Sequence, residues 1–400
     1  MADIRVDALG LENPFIIAAS PATQGYAAAV KSARVMPGAI VLRNFGHRVG
    51  GGSVLLPSGA GAQGAKMGGQ INGFGGTGKD VCSTPAEYYR MVARVRKDVP
   101  AAVRVWVSIG HPSDLNGGVD WKEKWRTEAA AAEDAGADTV ELHLNTPGIS
   151  RTGEAQDSFA SLVARAVKSV RTGLSAIPLV VKLPLEMIDT LAAVRAAAEE
   201  GAAGAGPTAR WKALHLGGDW QHSPALPGGG FSSSSLLPIL CHTVAEIRAH
   251  ALDLPLYAGG GVYSAEAALQ LVLAGSDGIQ LGSLACCHGP SAVAHLIRRF
   301  VRLLYEKGYA RIQDARGLAA RRLAEPGEEK EDRRRRLARS YQAAQVKTGG
   351  ACIRCGKCVE ACWHEGIVIG DVSAEKTGAC IGCGYCFSVC PTGALSVSET

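Results

Sequence analysis

Eight of the 12 cysteines in this 400-residue chain lie in two C-terminal runs with one shared spacing, C-x2-C-x2-C-x3-C. The runs are Cys352, Cys355, Cys358 and Cys362, followed by Cys380, Cys383, Cys386 and Cys390. Clustered cysteines in a small secreted domain would predict disulfides, but the N-terminus lacks the basic start and apolar run of a secretory signal. We therefore expect a metal-binding segment at this end of the chain.

Two kinds of metal site suit closely spaced cysteines. Pairs of C-x2-C also hold tetrahedral zinc, so zinc is the alternative to iron. Two identical four-cysteine runs flank a strand-like segment at 366–371, and no histidines follow at zinc-finger spacing. This arrangement favours iron–sulfur clusters, and hence electron transfer.

The cysteine repeat resembles that of the bacterial two-cluster ferredoxins, in which the fourth cysteine of each run binds the other cluster. The resemblance implies two [4Fe-4S] clusters, each held by three cysteines of one run and one of the other. One cluster would take Cys352, Cys355, Cys358 and Cys390, and the other Cys380, Cys383, Cys386 and Cys362. Cys390-Pro391 matches the family, whereas Trp363 follows Cys362 where the family usually has proline.

Composition limits the rest of the chain. Hydrophobic residues make up 47% and charged residues 20%, which is enough to bury a full-sized core and excludes a disordered or fibrous protein. A formal net charge of +5 is mild and mixed along the chain, so nucleic acid is not an expected partner. No apolar stretch approaches the ~20 residues that span a bilayer. We expect a cytoplasmic protein without a membrane span.

Ahead of the cysteines, short β runs alternate with alanine-rich helices up to about residue 310. The candidate strands are 15–19, 39–42, 103–109, 139–144, 179–183, 213–216, 256–259 and 278–281. Eight strands with intervening helices predict an α/β fold, a (β/α)8 TIM barrel, rather than a doubly wound sheet. We expect the barrel over 1–310, a helical, charged linker over 311–348 and a small ferredoxin-like domain over 349–400.

Four segments of the predicted barrel resemble one family, in order along the chain. They are NPFIIAAS at 13–20, VELHLNTPG at 140–148, PLVVKLP at 178–184 and YAGGGVYSAEAALQLVLAGSDGIQLGS at 257–283. Together they are similar to the flavin-dependent dihydroorotate dehydrogenases, and with the cysteine tail to the catalytic part of dihydropyrimidine dehydrogenase. The resemblance implies an FMN cofactor.

Glycines after the last two strands suit a phosphate, because backbone N–H groups approach it closely where no side chain intervenes. Gly260 and Gly261 follow the seventh strand, and Gly282 and Ser283 follow the eighth. Ordinary turn glycines are the alternative for each position alone. Their pairing on adjacent final strands favours the FMN phosphate.

Other flavin contacts are implied by the resemblance. Lys182 would face the flavin N1 and O2 edge, although a salt bridge to a barrel carboxylate is the alternative. Ala19 and Ser20 would line the flavin through backbone and hydroxyl. Asn72, in a glycine-rich segment at 46–78 that we interpret as an active-site loop, matches an asparagine near flavin and substrate. Arg43 replaces a common lysine and would clamp a carboxylate or carbonyl.

The substrate face departs from the family. Thr146 occupies the position of the family's acid/base cysteine, and a hydroxyl is a poorer acid than a thiol, so a relay through water, His143 or His222 is needed. His143 replaces a substrate-binding asparagine, and a core histidine is the alternative there. We list His143, Asn145 and His215 with Asn72 as substrate contacts. His215 stands where the family presents amide and hydroxyl side chains, so the substrate need not be a pyrimidine.

These features predict an FMN- and iron–sulfur-dependent oxidoreductase that transfers hydride between flavin N5 and a carbon–carbon bond. No G-x-G-x-x-G motif occurs in a βαβ setting, so NAD(P)H would be oxidised by a flavoprotein partner, or a ferredoxin would carry the electrons. By analogy with the family we expect a dimer or heteromer. An electron-transfer subunit of a larger complex and a true pyrimidine or orotate dehydrogenase are the alternatives.

Overall fold

The computed structural model describes residues 2–8, 10–45, 53–55, 69–73, 82–111, 114–115, 119–145, 158–185, 189–213, 229–250, 253–324, 346–348 and 351–397. The described residues up to Ala324 form one compact unit, and those from Val346 onward form another. The two units are described separately. The expected domain ends at 310 and 348 stay predictions.

The first unit is built around a closed barrel. Its strands are β1 (Phe15–Ile17), β2 (Ala39–Leu42), β3 (Ser53–Leu55), β4 (Gly69–Gly73), β5 (Arg104–Ile109), β6 (Thr139–His143), β7 (Leu179–Pro184), β8 (Gly204–Thr208), β9 (Trp211–Ala213), β10 (Gly229–Ser233), β11 (Tyr257–Gly259) and β12 (Gly278–Leu281). Eight of them close the barrel in the order β1-β12-β11-β8-β7-β6-β5-β2, with parallel pairing throughout. The predicted (β/α)8 TIM barrel is confirmed.

Helices cover the outside of the strands. They are α1 (Tyr26–Ala33), α2 (Pro85–Asp98), α3 (Trp121–Asp134), α4 (Phe159–Arg171), α5 (Thr190–Glu199), α6 (Leu237–Ala249), α7 (Ala265–Ala274), α8 (Ser283–Glu306), α9 (Ile312–Ala315) and α10 (Leu318–Ala324). Local sequence sets their ends. Thr84 and Glu87 form a capping box at the start of α2, and Gly275 ends α7 in a left-handed conformation.

The strands β2, β7 and β12 are buried at every residue, as expected of parallel strands covered on both faces. Inside the barrel, Trp106 and Tyr257 pack edge to face, with ring centroids 5.3 Å apart. They belong to an apolar cluster that fills the interior toward the amino ends of the strands. Polar side chains can therefore gather in the interior only above this cluster, toward the carboxyl ends.

The sixth barrel strand is β8, Gly204–Thr208, and the prediction that 213–216 forms this barrel strand was wrong. The β8 sequence, GAGPT, lacks the branched residues that indicate a strand. Its small residues make room for Tyr257, since a Cβ at Gly204 would lie 2.6 Å from the Tyr257 ring. Ala213 belongs to β9, outside the barrel, and residues 214–216 lie outside the described residues.

A second sheet is formed by segments that follow the barrel strands β2 and β8 in sequence. It pairs β3, β4, β10 and β9 in that order, all antiparallel. The segment at 46–78, interpreted from its glycines as a loop, thus contributes two strands to a sheet. Asn72 pairs through its backbone position with Ser53 on one side and Gly230 on the other.

The second unit has two similar halves. Its elements are β13 (Val346–Thr348), α11 (Lys357–Glu360), β14 (Ile367–Ile369), β15 (Ala374–Lys376), α12 (Tyr385–Ser388) and β16 (Leu395–Val397). The one-turn helices α11 and α12 each carry the third cysteine of a run, and each follows a glycine with φ of 77°. Cys358, Cys386 and Cys390 pack with Ile367 and Leu395 in its small core.

No helix among the described residues is both long enough and apolar enough to cross a bilayer.

Candidate active site and cysteine cavities

The carboxyl ends of the eight barrel strands meet at one rim, which we call the barrel mouth. The described residues that directly follow those ends, within three positions, include Ala19, Ser20, Arg43, His111, Asn145, Arg210, Gly260, Gly282 and Ser283. His143 is the last residue of β6, Lys182 lies two residues before the end of β7, and the two pair in register. The mouth therefore gathers most of the predicted flavin and substrate residues that the structure describes.

Beneath the mouth lies a buried layer of polar side chains. Glu141 is fully enclosed, and Lys182 and Gln280 are 5% and 3% exposed. Lys182 Nζ lies 3.8 Å from Glu141 Oε1, and Gln280 Nε2 donates a hydrogen bond to Glu141 Oε2 at 2.8 Å. The sequence-based alternative of a salt bridge from Lys182 to a barrel carboxylate is thus present.

Glycines on neighbouring strands make space for this polar layer. A Cβ at Gly259 would lie 2.9 Å from Gln280 Cβ, and one at Gly206 would lie 3.6 Å from Gln280 Nε2. Among the described residues, Gln280 Oε1 and Ser108 Oγ are buried without a hydrogen-bond partner. Orphaned buried polar atoms are costly, so the layer is suited to further polar contacts.

Two guanidinium groups come from opposite sides of the mouth, since β2 and β8 are four strands apart in the ring of eight. Arg43 Nη1 donates to the neutral amide Gln24 Oε1 at 3.0 Å. Burial lowers the pKa of Arg43 to about 10, and the nearby positive charge of Arg210 adds to that shift. The side chain of Arg210 packs over Gly230, where a Cβ would collide with it. Gly230 is the backbone partner of Asn72 in the second sheet.

The phosphate glycines show the geometry that a cradle needs. Gly260 and Gly261 have φ of 121° and 73°, and a Cβ at Gly261 would lie 2.8 Å from Ser233 O. Gly282 begins α8 without a side-chain cap, and a Cβ there would meet nothing within 4 Å. Gly289 interrupts α8 with a non-helical backbone (φ 75°, ψ −179°), so the start at Gly282 offers exposed backbone N–H groups to an anion rather than the dipole of a long helix. Together with the buried Lys182, these residues fit FMN.

Several predicted residues have other contacts or lie outside the described part of the chain. Ser20 is buried, but its hydroxyl oxygen accepts from Ala22 N as a helix cap. Asn145 is buried, and its Oδ1 has no hydrogen-bond partner among the described residues. Thr146, His215 and His222 lie outside the described residues, as does the side chain of Asn72. Their predicted roles stay predictions.

Two residues of the mouth, Arg210 and His111, were not predicted from the sequence. Arg210 was assigned to no strand end because the sixth strand was misplaced. Burial lowers the pKa of His111, with the Asp114 carboxylate opposing that shift. His111 is therefore neutral near pH 7, and its place directly after Gly110 at the end of a barrel strand is the signal that identifies it.

The cysteines of the second unit line two cavities. One, of about 470 Å³ including its open side, is lined by Cys362, Cys380, Cys383 and Cys386. The other, of about 300 Å³, is lined by Cys352, Cys355, Cys358 and Cys390. We call them the Cys362 cavity and the Cys390 cavity. Each is lined by three cysteines of one run and the last cysteine of the other, as the ferredoxin resemblance implies.

The spacing within each set bears on the choice between zinc and iron. Four thiolates around one zinc ion lie about 3.8 Å apart, because each Zn–S bond is about 2.3 Å. Among the described residues, no group of three or more potential ligands is arranged to hold a single metal ion. A cubane cluster needs a wider set, because each thiolate binds a different iron atom. The lining of each cavity, with three cysteines of one run and one of the other, fits the ligand set of a cubane cluster, and Gly366 N donates to Cys362 Sγ at 3.2 Å, a contact that tunes such clusters.

Replacing Gly282 by alanine tests the phosphate cradle. We expect the variant to fold normally, because its φ is negative and its Cβ points into open space. It should bind FMN roughly tenfold more weakly or worse, because the added Cβ would occupy the space of the phosphate and move it away from a backbone N–H group, and loss of a charged hydrogen bond costs about 1.5–3 kcal/mol. FMN affinity by fluorescence quenching and the melting temperature of the flavin-free protein are the two measurements.

Gly261→Ala is the contrasting variant. The positive φ of Gly261, and the short distance from an added Cβ to Ser233 O, predict lower folding stability as well as weaker FMN binding. Unchanged FMN affinity in folded Gly282→Ala would place the phosphate elsewhere.

Comparison with known proteins agrees with this geometry. The family model described as dihydroorotate dehydrogenase matches residues 73–304, more than half of the chain. The model described as 4Fe-4S binding domain matches residues 376–396, a stretch that contains the whole second cysteine run. The predicted resemblance to the dihydroorotate dehydrogenases and the iron–sulfur character of the second cysteine run are therefore confirmed, and the count of two clusters stays a prediction.

Three curated relatives illustrate the range of similarity. Dihydroorotate dehydrogenase A (fumarate) of Limosilactobacillus reuteri is 24% identical over 72% of this chain and 88% of its own length. The NAD-dependent dihydropyrimidine dehydrogenase subunit PreA of Escherichia coli is 23% identical over 68% of this chain and 64% of its own. Dihydroorotate dehydrogenase (quinone) of Deinococcus radiodurans is 31% identical over 57% and 63%, respectively.

Proposed function

Because the chain belongs to the dihydroorotate dehydrogenase family, we propose that it is an FMN- and iron–sulfur-dependent oxidoreductase acting on a carbon–carbon single or double bond. The observation that carries the proposal is the occurrence on one chain of a buried lysine layer under a glycine-rich barrel mouth and of two four-cysteine cavities. The mouth suits a flavin, and the cavities suit one-electron carriers.

Bound FMN supplies hydride transfer at N5 and exchange of single electrons with the clusters. Different residues of the mouth would bind the phosphate and the ring of FMN. Gly260, Gly261, Gly282 and Ser283 would hold the phosphate through backbone N–H groups. Lys182 places a positive charge at the N1 and O2 edge of the ring.

Protons are handled on the substrate side of the mouth. Thr146 holds the position of the acid or base, and His143, at the end of β6, supplies the relay that a hydroxyl requires. Asn72, Asn145 and His215 orient the substrate. His111 is a further neutral imidazole within the same rim and is available to accept a proton near pH 7.

In the cysteine unit we propose two [4Fe-4S] clusters, one in each cavity. Cys352, Cys355, Cys358 and Cys390 would hold one cluster and Cys362, Cys380, Cys383 and Cys386 the other, and the clusters would supply one-electron transfer between the flavin and a separate protein. The relative from E. coli is described as NAD-dependent and as a subunit, which supports a heteromer with an NAD(P)H-oxidising flavoprotein. A ferredoxin is the second candidate partner, and we place the assembly in the cytoplasm.

The charge of the mouth favours a substrate with an anionic group. Arg43 and Arg210 add two positive charges, whereas the carboxylate of Glu141 already faces Lys182. Arginine forks bind carboxylates through paired hydrogen bonds. Among the candidate substrates, a carboxylated ring such as orotate therefore suits this mouth better than a neutral pyrimidine.

Replacing Arg210 by glutamine tests this charge argument. We expect binding of orotate to weaken roughly tenfold or more, because a hydrogen bond to a charged group contributes about 1.5–3 kcal/mol. Binding of uracil should change less than threefold. Shifts of the flavin spectrum during anaerobic titration measure both affinities. Equal losses for the two compounds would contradict an anion contact at Arg210.

The proposed function is tested by half-reactions. The purified chain, loaded with FMN and clusters, is mixed anaerobically with reduced and oxidised pyrimidines and with other unsaturated carboxylates. Bleaching of the flavin by a saturated compound, or reoxidation by its unsaturated partner, is the expected result. A chain that holds clusters but neither contains nor binds FMN would refute the proposal.

A further inference from the structure

Glu141 occupies an unusual place for a carboxylate. It is fully enclosed in the barrel, and Thr139, two residues toward the amino end of the same strand, is buried as well. A buried carboxylate without a partner would cost several kcal/mol, and the adjacent ammonium group of Lys182 offsets that cost. The two side chains are thus best regarded as one ion pair, and the role of Lys182 at the flavin depends on Glu141.

The geometry of the pair leaves Lys182 able to serve a second anion. Its Nζ is 3.8 Å from Glu141 Oε1, which is an ion-pair distance and longer than a hydrogen bond. An ammonium group has three N–H donors. The carboxylate is fixed from its other side, because Gln280 Nε2 donates to Oε2 at 2.8 Å. The donors of Lys182 can therefore point toward the mouth while Glu141 stays below.

The groups that face Lys182 shift its pKa in opposite directions. Burial lowers the pKa of Lys182, the Glu141 carboxylate raises it, and the positive charge of Arg210 lowers it further. His143 pairs with Lys182 in register on the adjacent strand, and Gln280 from β12 is uncharged. Among the described residues around Lys182, Glu141 is thus the charged group that favours the charged form of Lys182.

We propose that Glu141 is the counter-ion that positions the Lys182 ammonium group toward the flavin ring, with Gln280 holding the carboxylate in place. The inference rests on the proposed FMN site. It makes Glu141 and Gln280 positioning residues, which act through Lys182 and do not touch the reacting atoms.

The proposal fixes the proton balance of flavin reduction. Two electrons and one proton, which goes to N5, leave one negative charge near N1 and O2 that a charged Lys182 neutralises. Reduction then takes up one proton per electron pair. Without the Glu141 charge, the pKa of Lys182 would fall further, and at a pH above that pKa Lys182 would gain a proton as the ring becomes negative. The uptake would then be two protons per electron pair.

The experiment measures the flavin midpoint potential against pH in the full chain loaded with FMN and clusters. Dithionite and redox mediators supply the electrons, the flavin is followed by its absorbance, and the clusters are followed by electron paramagnetic resonance. Above neutral pH, the slope of potential against pH in Glu141→Gln should be twice that of the wild type. Ser108→Ala is the control, because Ser108 pairs in register with Glu141 and carries no charge.

The outcomes separate the two levels of the argument. A wild-type chain that binds no FMN would refute the proposed function itself. FMN-loaded Glu141→Gln with the wild-type slope would overturn the role of Glu141 alone. If Glu141→Gln does not fold, Gln280→Ala keeps the charge but releases the carboxylate, and a slope between the two values is expected. Uptake of two protons per electron pair by the wild type would also overturn the inference.

Discussion

Replacing Lys182 by methionine is expected to slow flavin reduction by substrate on the order of 10²–10³-fold, because the negative charge that develops on the ring loses its fixed partner. The substitution also leaves Glu141 buried without its cation, so folding stability should fall by about 3–5 kcal/mol. Anaerobic stopped-flow absorbance measures the first effect and thermal unfolding the second.

Two further variants separate chemistry from folding. The double variant Lys182→Met with Glu141→Gln should recover most of the stability and none of the rate. Arg248→Met removes another buried cation, which binds the Asp277 carboxylate just before β12 and so at the opposite end of the barrel. It should lower stability and leave flavin reduction in the folded protein unchanged. A rate that follows stability across these variants would contradict the flavin role of Lys182.

Replacing Cys390 by serine should remove the cluster from the Cys390 cavity. Cys390 belongs to the second run, whereas the other three cysteines of that cavity belong to the first run. Iron content should fall from about eight to about four atoms per chain, because one cubane holds four. Flavin reduction by substrate should persist, while electron delivery to the partner should fall at least tenfold. Iron and sulfide analysis, with electron paramagnetic resonance, measures the loss.

The cross-run arrangement predicts a specific pattern in double variants. Adding Cys355→Ser to Cys390→Ser should remove no further iron, because both line the same cavity. Adding Cys383→Ser should remove the remaining cluster, because Cys383 lines the Cys362 cavity. The reverse pattern would show that each run holds its own cluster. Cys241→Ser, in helix α6, is the control and should retain about eight iron atoms.

The barrel was predictable because parallel strands read as buried apolar runs between amphipathic helices, as in β2 and β7. The sixth strand was not, because Gly204–Thr208 is shaped by contact with Tyr257 rather than by its own strand preference. Trp211–Ala213, which has a more strand-like sequence, pairs instead in the second sheet. A non-local packing requirement overrode local preference at this point.

The candidate site shows the same division. Lys182 and the phosphate glycines were predicted because a charge in an apolar strand and glycines after strand ends are local signals. Arg210 was missed because its place at the mouth depends on which segment forms the sixth strand. Glu141 was overlooked inside the segment VELH, where only the closed barrel shows that its side chain meets Lys182.

The cysteine unit was the most predictable part, because covalent reach along a short chain limits which side chains can share one cavity. The pairing across runs came from a resemblance, and the two cavities agree with it. The lining of the cavities could not be foreseen from spacing alone, since α11 and α12 set which side chains turn inward.

The central claim is that one chain combines a flavin site with two clusters and depends on a partner for nicotinamide. Anaerobic purification followed by iron, sulfide and flavin analysis, with NADH and NADPH then added to the isolated chain, tests it most directly. We expect about eight iron atoms and about one FMN per chain, with no reduction by either nucleotide. A chain without flavin, or one that NADH or NADPH reduces directly, would contradict it.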